Sequence, residues 1–463
     1  MVFSSLLFLT LFLPITTAAY YLLPGKGKNL LLLAVSLVFY AWGEPVHIFL
    51  MLITTLYTWL LSLLLEKCRD QRKAGATKLL LILCLVFSLG TLGYYKYSGF
   101  LMKVLGNTNL SAPALPIGIS FYTFQALSYV IDVYRGDVKA QKSWVSFAMY
   151  ISFFPQLIAG PIVRYTDVEA QLQQRTHSRK NIYLGIRRFT MGLGKKVLLA
   201  NQIGMLWDTV SGMGHPSMMG AWLGAIAFSL QIYFDFSAYS DMAIGLGRVF
   251  GFEFPENFRY PYLSGSITEF WRRWHITLGT WFREYVYIPL GGNRKGKLRL
   301  LLNLFIVWSL TGLWHGADWQ FLLWGIYYFA FLALEKFFLL DKMEKWPAVL
   351  RRMYTILVVV WGWVLFACED IGTAGNFYKA MLGIGVPLVD GTALFQLSNY
   401  ALLLPVLLVG STDLPRRCVH RLRHHIHPAK FEKLTYGVCI LTTWVCVAFL
   451  VADSYNPFLY FRF

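Results

Sequence analysis

Apolar runs of membrane-crossing length recur along the whole chain, and polar residues fall in short, mostly basic stretches between them. A run at 2–23 is followed by PGKGKN, a second run at 30–42, a tight break at 43–45 and a third run ending at 65. EKCRDQRKAGATK is the first dense basic loop, and a fourth run covers 79–95. A bilayer core takes about 20 apolar residues per helical crossing, and helices satisfy their own backbone there, so the pattern predicts an all-α polytopic membrane protein. With the Lys26/Lys28 turn and the first basic loop on the cytoplasmic side, the N-terminus lies outside and 30–65 forms a helical hairpin. The first run lacks a basic leader and carries Pro14, so it reads as a retained span and not a cleaved signal.

The middle of the chain is less regular. SAPALPIGISFYTFQALSYVIDVYRGD is interrupted by Pro113, Pro116 and Gly118, and 144–162 carries Pro155, Gln156, Gly160 and Pro161. Broken backbone at membrane depth is tolerated only where protein or water covers it, so these segments are expected to be re-entrant or interior. From 165 to 196 the chain turns basic, which fits either an interfacial helix on anionic lipid or a docking surface for an acidic donor. The apolar helix expected over 222–250 is broken chemically by Asp235 and Asp241. Intramembrane carboxylates are costly, so these two either pair with neighbouring helices or line a watery cavity. Spans at about 320–338, 350–367, 397–409 and 436–452, separated by basic loops, complete roughly eleven spanning or re-entrant helices.

The richest stretch is 266–320. Ser266 and Glu269 form an S-x-x-E capping box, and the pattern beyond it predicts a single amphipathic helix with Trp271, Trp274, His275, Leu278, Phe282 and Tyr285 on one face. Pro289 and Gly291-Gly292 end it. From Leu300 the chain is apolar until His315, with Trp308, Thr311 and His315 at helical spacing. The bland reading of a histidine beside tryptophans is a satisfied core residue. The sharper one is a general base: burial keeps an imidazole neutral and able to take a proton from an attacking hydroxyl. If such a hydroxyl attacks a carbonyl, donors are also needed for the developing oxyanion, which indole N–H groups, Thr311 or a second histidine would supply.

Composition agrees with this picture: of 463 residues, 57% are hydrophobic and only 14% charged, far below the roughly 25% charged of soluble domains. The net charge of +18 sits in short loops, where it reports topology and anionic lipid; a nucleic-acid partner is not expected. The six cysteines show no C-x-x-C spacing, so neither a disulfide framework nor a metal site is expected. GGNRKGKL mimics a phosphate-binding loop, but Leu298 stands where Ser or Thr is needed and a helix precedes it, not a strand. His420, His424, His425 and His427 lie among arginines with no carboxylate close by, and read as a basic cytoplasmic loop.

Together, FYTFQALSYVIDVYRG, PQLIAGPIVRY, QIYFDFSAYSDMAIGLGRVFGFEFPENFRYPY, EFWRRWHITLGTWFREYVYIPLGGNR and TGLWHGADWQFLLWGIY resemble the membrane-bound O-acyltransferase (MBOAT) superfamily, in particular its bacterial alginate O-acetyltransferase-like branch. The resemblance covers most of 115–334. It implies one membrane domain over 1–463, with a catalytic core at about 115–334 and peripheral helices at 1–100 and 345–463. The implied fold is a ring of helices around a thinned centre, where a cytoplasmic donor tunnel meets an outer funnel. It further implies that His315, in the W-H-G context, is the catalytic histidine and that His275 is a second required position. Trp314, Thr311, Asp318, Trp274, Trp271, Asp235, Asp241, Asn257 and Arg259 are candidates to line the substrate path.

The implied reaction moves an acyl group, acetyl by this resemblance, from a cytoplasmic thioester to a hydroxyl at the outer face of a bacterial inner or plasma membrane. The donor is acetyl-CoA or an acylated carrier protein, with no permanently bound cofactor. The acceptor is an exported polysaccharide or an extracytoplasmic relay protein. Carrier-dependent D-alanyl transfer to teichoic acid stays open as an alternative, and a transporter or channel is less favoured because no internal repeat is apparent.

Overall fold

The computed structural model describes residues 1–106, 112–452 and 458–459. They are helical, without strands, and divide into two compact units: 1–189 with 240–256, and 190–239 with 257–463. Ser111, which opens the interrupted segment discussed above, lies outside the described residues, as does the expected outer C-terminus.

In the first unit, α1 (Lys28–Ala41), α2 (His47–Asp70) and α3 (Ala74–Val104) are the apolar rods expected for the first 100 residues. The break between α1 and α2 is tied down by Glu44, whose carboxylate pairs with His47 Nδ1 at 2.6 Å and accepts the Ile117 N–H at 3.2 Å. The chain enters α4 (Ile119–Arg135) through Gly118 at φ +76°, where a Cβ would stand 2.7 Å from Leu157 O. Nearly every residue of α4 is buried. Its backbone is covered by protein, as the interrupted sequence requires. The run 144–162 folds as Trp144–Ser152 followed by turns.

The basic stretch 165–196 is only partly a surface feature. Arg188 pairs with Asp241 at 2.8 Å and with Glu256 at 2.5 Å, all within the first unit. These pairs tie the helix Arg179–Gly194 to Asp241 and to the non-helical segment at Glu256, so Arg188 is not a headgroup contact.

The second unit is built on α5 (Met218–Val249), whose last turns belong to the first unit, followed by two short helices, α6 (Ile267–Arg273) and α7 (Ile276–Phe282). Then come α8 (Lys297–His315), α9 (Trp319–Leu334), α10 (Ala348–Ala367), α11 (Leu403–Gly410), α12 (Leu414–His425) and α13 (Pro428–Ala452). Helices α8 and α9 form a tight antiparallel hairpin. A Cβ on Gly312 would lie 2.3 Å from Phe321 O, and one on Gly325 would lie 2.3 Å from Trp308 O. Small residues that let backbones touch are the usual way to join helices where lipid removes the hydrophobic drive. Gly312→Ala therefore forces the hairpin open and costs about 1–3 kcal/mol by overpacking. The midpoint of heat denaturation in detergent should fall, and an unchanged midpoint would refute the close approach.

Among the described residues, six helices are long and apolar enough to cross a bilayer, and the pair Gly391–Asn399 and Leu403–Gly410, bent by 63°, makes a seventh if counted as one span. The chain is therefore multi-pass. Phe8–Leu22 and Lys28–Ala41 are shorter apolar helices. The other segments counted toward the expected eleven are short, broken or interior.

Candidate functional site

Three elements of the second unit converge on the two histidines of interest. The first is the α6–α7 pair. Ser266 caps α6 as expected, its hydroxyl accepting the Glu269 N–H at 3.0 Å. The Glu269 carboxylate, however, takes the Gly265 N–H at 2.7 Å, so the reciprocal half of the box is shifted by one residue. The stronger cap comes from a residue the sequence did not single out. Glu335 is fully buried and accepts from Ile267 N–H, Thr268 N–H and Thr268 Oγ1 at 2.6, 2.8 and 2.7 Å. A carboxylate placed on exposed N–H groups answers the positive end of the helix. The signal was available, because a lone acid at the end of an apolar span needs a partner.

The single amphipathic helix expected through His275 is not formed. Helix α6 stops at Arg273, Trp274 is extended, and His275 adopts a left-handed backbone at φ +45° before α7 restarts at Ile276. The segment around Asn257 replaces the missing helix bonds: Arg259 N–H donates to Arg273 O at 2.9 Å and Ile276 N–H to Asn257 O at 3.0 Å. Periodicity read the helix correctly on either side of the break, but could not register hydrogen bonds from a distant segment. A left-handed non-glycine residue is strained and persists only when its surroundings over-determine it.

The Asn257 side chain also sets the protonation of His275. Its Oδ1 accepts from Thr277 N–H at 3.2 Å and Thr277 Oγ1 at 2.9 Å, which identifies that atom as the oxygen, and it stands 3.2 Å from His275 Nδ1. His275 Nδ1 must then carry the proton and donate. Nε2 is left as a buried lone pair with no partner among the described residues. Burial pushes the pKa of His275 well below the ordinary histidine value, so the ring is neutral. In this tautomer Nε2 accepts a hydrogen bond; donating to an oxyanion would require the imidazolium that burial opposes. Asn257→Leu frees the ring to flip or change tautomer, and turnover should fall by roughly 10²-fold, within the range typical of acid–base groups. A variant with unchanged turnover would show that the tautomer is irrelevant.

His315 ends α8 and is 7% exposed. Trp314 stands edge-on to it at 5.0 Å and to His275 at 5.9 Å, so one indole contacts both imidazoles. Trp324 and Phe366 close two further sides of His315 at 5.1 and 5.3 Å. Gly316 follows because the Phe321 ring occupies the space of any Cβ, at 2.0 Å. His315 faces a cavity of about 20 Å³ bounded also by Asp235, Phe236, Trp274, Trp363 and Phe366. By the rule that a water needs about 10–15 Å³ of such space, it admits only a very small group as it stands.

Asp235 is both a cavity wall and half of a buried ion pair, 2.6 Å from Lys196 Nζ, and its other oxygen accepts the Leu459 N–H at 2.7 Å. Several expected lining residues lie elsewhere. Trp271 packs outside the cavity against Trp308 and Tyr328, each at 4.8 Å. Thr311 gives its hydroxyl to Val307 O at 2.7 Å within its own helix. Asp318 caps α9 through the Trp319 N–H. Arg259 is exposed and contributes its backbone. Asp241 belongs to the Arg188 pair in the first unit.

The described residues form a multi-pass membrane protein in which one indole, Trp314, contacts both histidines inside a helical unit. The family model for the membrane-bound O-acyltransferase family matches residues 46–371. The chain is 39% identical to the probable alginate O-acetylase of Azotobacter vinelandii, over all of both chains. It is 30% identical to the peptidoglycan O-acetyltransferase of Helicobacter pylori, over all of this chain and 98% of that one. More distantly, it is 27% identical to the teichoic acid D-alanyltransferase of Bacillus subtilis, over 54% of this chain and 68% of that one. The chain belongs to the membrane-bound O-acyltransferase family and is an O-acyltransferase.

Proposed function

We propose that this enzyme O-acetylates an exported polysaccharide, directly or through an extracytoplasmic relay protein, using a cytoplasmic thioester as donor. The observation that carries the reading is His315 on the wall of a small aromatic cavity, because a short acyl group is what such a cavity can measure. The full-length relatives named for polysaccharide O-acetylation support the acceptor class.

In this reading His315 is the general base. The neutral imidazole takes the acceptor O–H proton as the oxygen attacks the thioester carbonyl; the new C–O ester bond forms, the C–S bond breaks, and the proton passes from His315 to the departing thiolate. Removing water from the surroundings strengthens each of these interactions. The indole N–H of Trp324, packed against His315 and without a partner among the described residues, is a candidate donor to a developing oxyanion. His275 acts as the positioning partner, fixed by Asn257.

The basic loops are cytoplasmic in this topology, with the N-terminus outside in a bacterial inner or plasma membrane. Helix α8 begins among Arg294, Lys295, Lys297 and Arg299 on the donor side and ends at His315 toward the acceptor side. The deciding experiment offers the purified protein acetyl-CoA, an acetylated carrier protein and a D-alanylated carrier protein with labelled acyl groups. Consumption of an acetyl thioester supports the reading. Consumption of the D-alanyl carrier alone replaces it with the teichoic acid reaction, to which the Bacillus relative belongs.

A further inference from the structure

Helix α12, PRRCVHRLRHH preceded by Leu414, is exposed at every position, and nothing in it is buried against the protein. At 3.6 residues per turn, Leu414, Cys418 and Leu422 fall on one side, and Arg416, His420, Arg423 and His424 on the other. Arg417 and Arg421 flank the apolar side, where long stems can lie along it with charged ends turned outward. The nearest acid, Asp413, is taken by Arg417 at 2.6 Å. His420 and His424 face each other at 4.6 Å. Among the described residues, no group of three or more His, Cys, Asp or Glu side chains is placed to hold a metal. His420 and His424 lie on the basic face, and His425 falls between Leu414 and Cys418 at the edge of the apolar side.

The connections restrict where α12 can be. Three residues separate Gly410, the end of apolar α11, from Leu414, and two separate His425 from Pro428, the start of spanning α13. A helix tethered so closely at both ends to membrane segments stays at the bilayer surface. An acidic soluble protein would satisfy the arginines and leave Leu414, Val419 and Leu422, each more than 40% exposed, in water. A bilayer with anionic headgroups satisfies both faces at once.

We propose that α12 is a binding surface for anionic phospholipid, with Leu414, Cys418 and Leu422 in the upper acyl region and Arg416, Arg417, Arg421 and Arg423 on headgroup phosphates. Little of α13 is buried against the protein, and this contact adds an attachment at the bilayer surface to that span.

The test is amide hydrogen exchange on the full-length protein in phosphatidylcholine nanodiscs with and without phosphatidylglycerol. Phosphatidylglycerol should slow exchange across 414–425 at least about tenfold, and added salt should reverse much of the effect. The R416Q/R417Q/R421Q/R423Q variant should lose that dependence while matching wild type in pure phosphatidylcholine. Equal exchange in the two lipids, slowing that survives in the variant, or protection that follows protein concentration or an added acidic protein instead of lipid would each overturn the proposal.

Discussion

His315→Ala removes acyl transfer: the single-turnover rate from labelled acetyl thioester to acceptor falls by at least about 10²–10⁴-fold, the contribution typical of a positioned base. Because the imidazole acts after the donor is bound, the loss falls on turnover, while donor affinity changes little. His315→Gln fills more of the space left between Trp314, Trp324 and Phe366. It should be as inactive as the alanine variant while denaturing close to wild type, which separates chemistry from packing. Near wild-type transfer by either variant would end the assignment of His315 as base.

The second large effect is on stability. Lys196 and Asp235 are each 3% exposed and 2.6 Å apart, and Phe458 lies 4.5 Å from the ammonium. Lys196→Met leaves a buried carboxylate without its cation and costs about 3–5 kcal/mol, the usual penalty for breaking such a pair. K196M/D235L removes both charges and should recover more than half of the loss, since apolar replacements of buried pairs are often neutral or better. The midpoints of heat denaturation of the two single variants and the double variant form the cycle that checks this. If the double variant is no more stable than Lys196→Met, the pair is not the source of the effect. Asp235 also borders the His315 cavity, so the same cycle read as activity reports whether the pair shapes that wall.

Much of this molecule was legible without coordinates. Membrane segments announce themselves because lipid demands apolar surface on every helix it touches, and α2, α3, α8, α10 and α13 stand where hydropathy places them. Gly118 was marked by the sequence as an interruption, whereas Gly312 and Gly316 were found only in the structure, and their reasons differ. Only Gly118 needs a left-handed backbone; the other two are required by Phe321 O and the Phe321 ring. Of the expected lining residues, Asp235 and Trp274 border the cavity, Trp314 contacts both histidines and Asn257 holds His275. Thr311 and Asp318 turned to local backbone groups, as hydroxyls and short carboxylates at helix ends commonly do.

The break at His275 was not legible, and at Glu335 the sequence showed an acid in need of a partner but not which groups it caps, for a common reason. Periodicity describes a helix from its own residues, whereas these features are made by groups remote in sequence: Asn257 lies 18 residues from His275, and Glu335 lies 68 from Ile267. The sequence by itself determined that the chain is helical and that it crosses the membrane repeatedly, because hydropathy carries that information, while the resemblance of its motifs singled out the two histidines. Only the tertiary structure decided that His275 leaves the helix, which of its nitrogens carries the proton, and that His315 borders a small aromatic cavity. A hydrogen bond or a cavity wall exists only when distant segments meet.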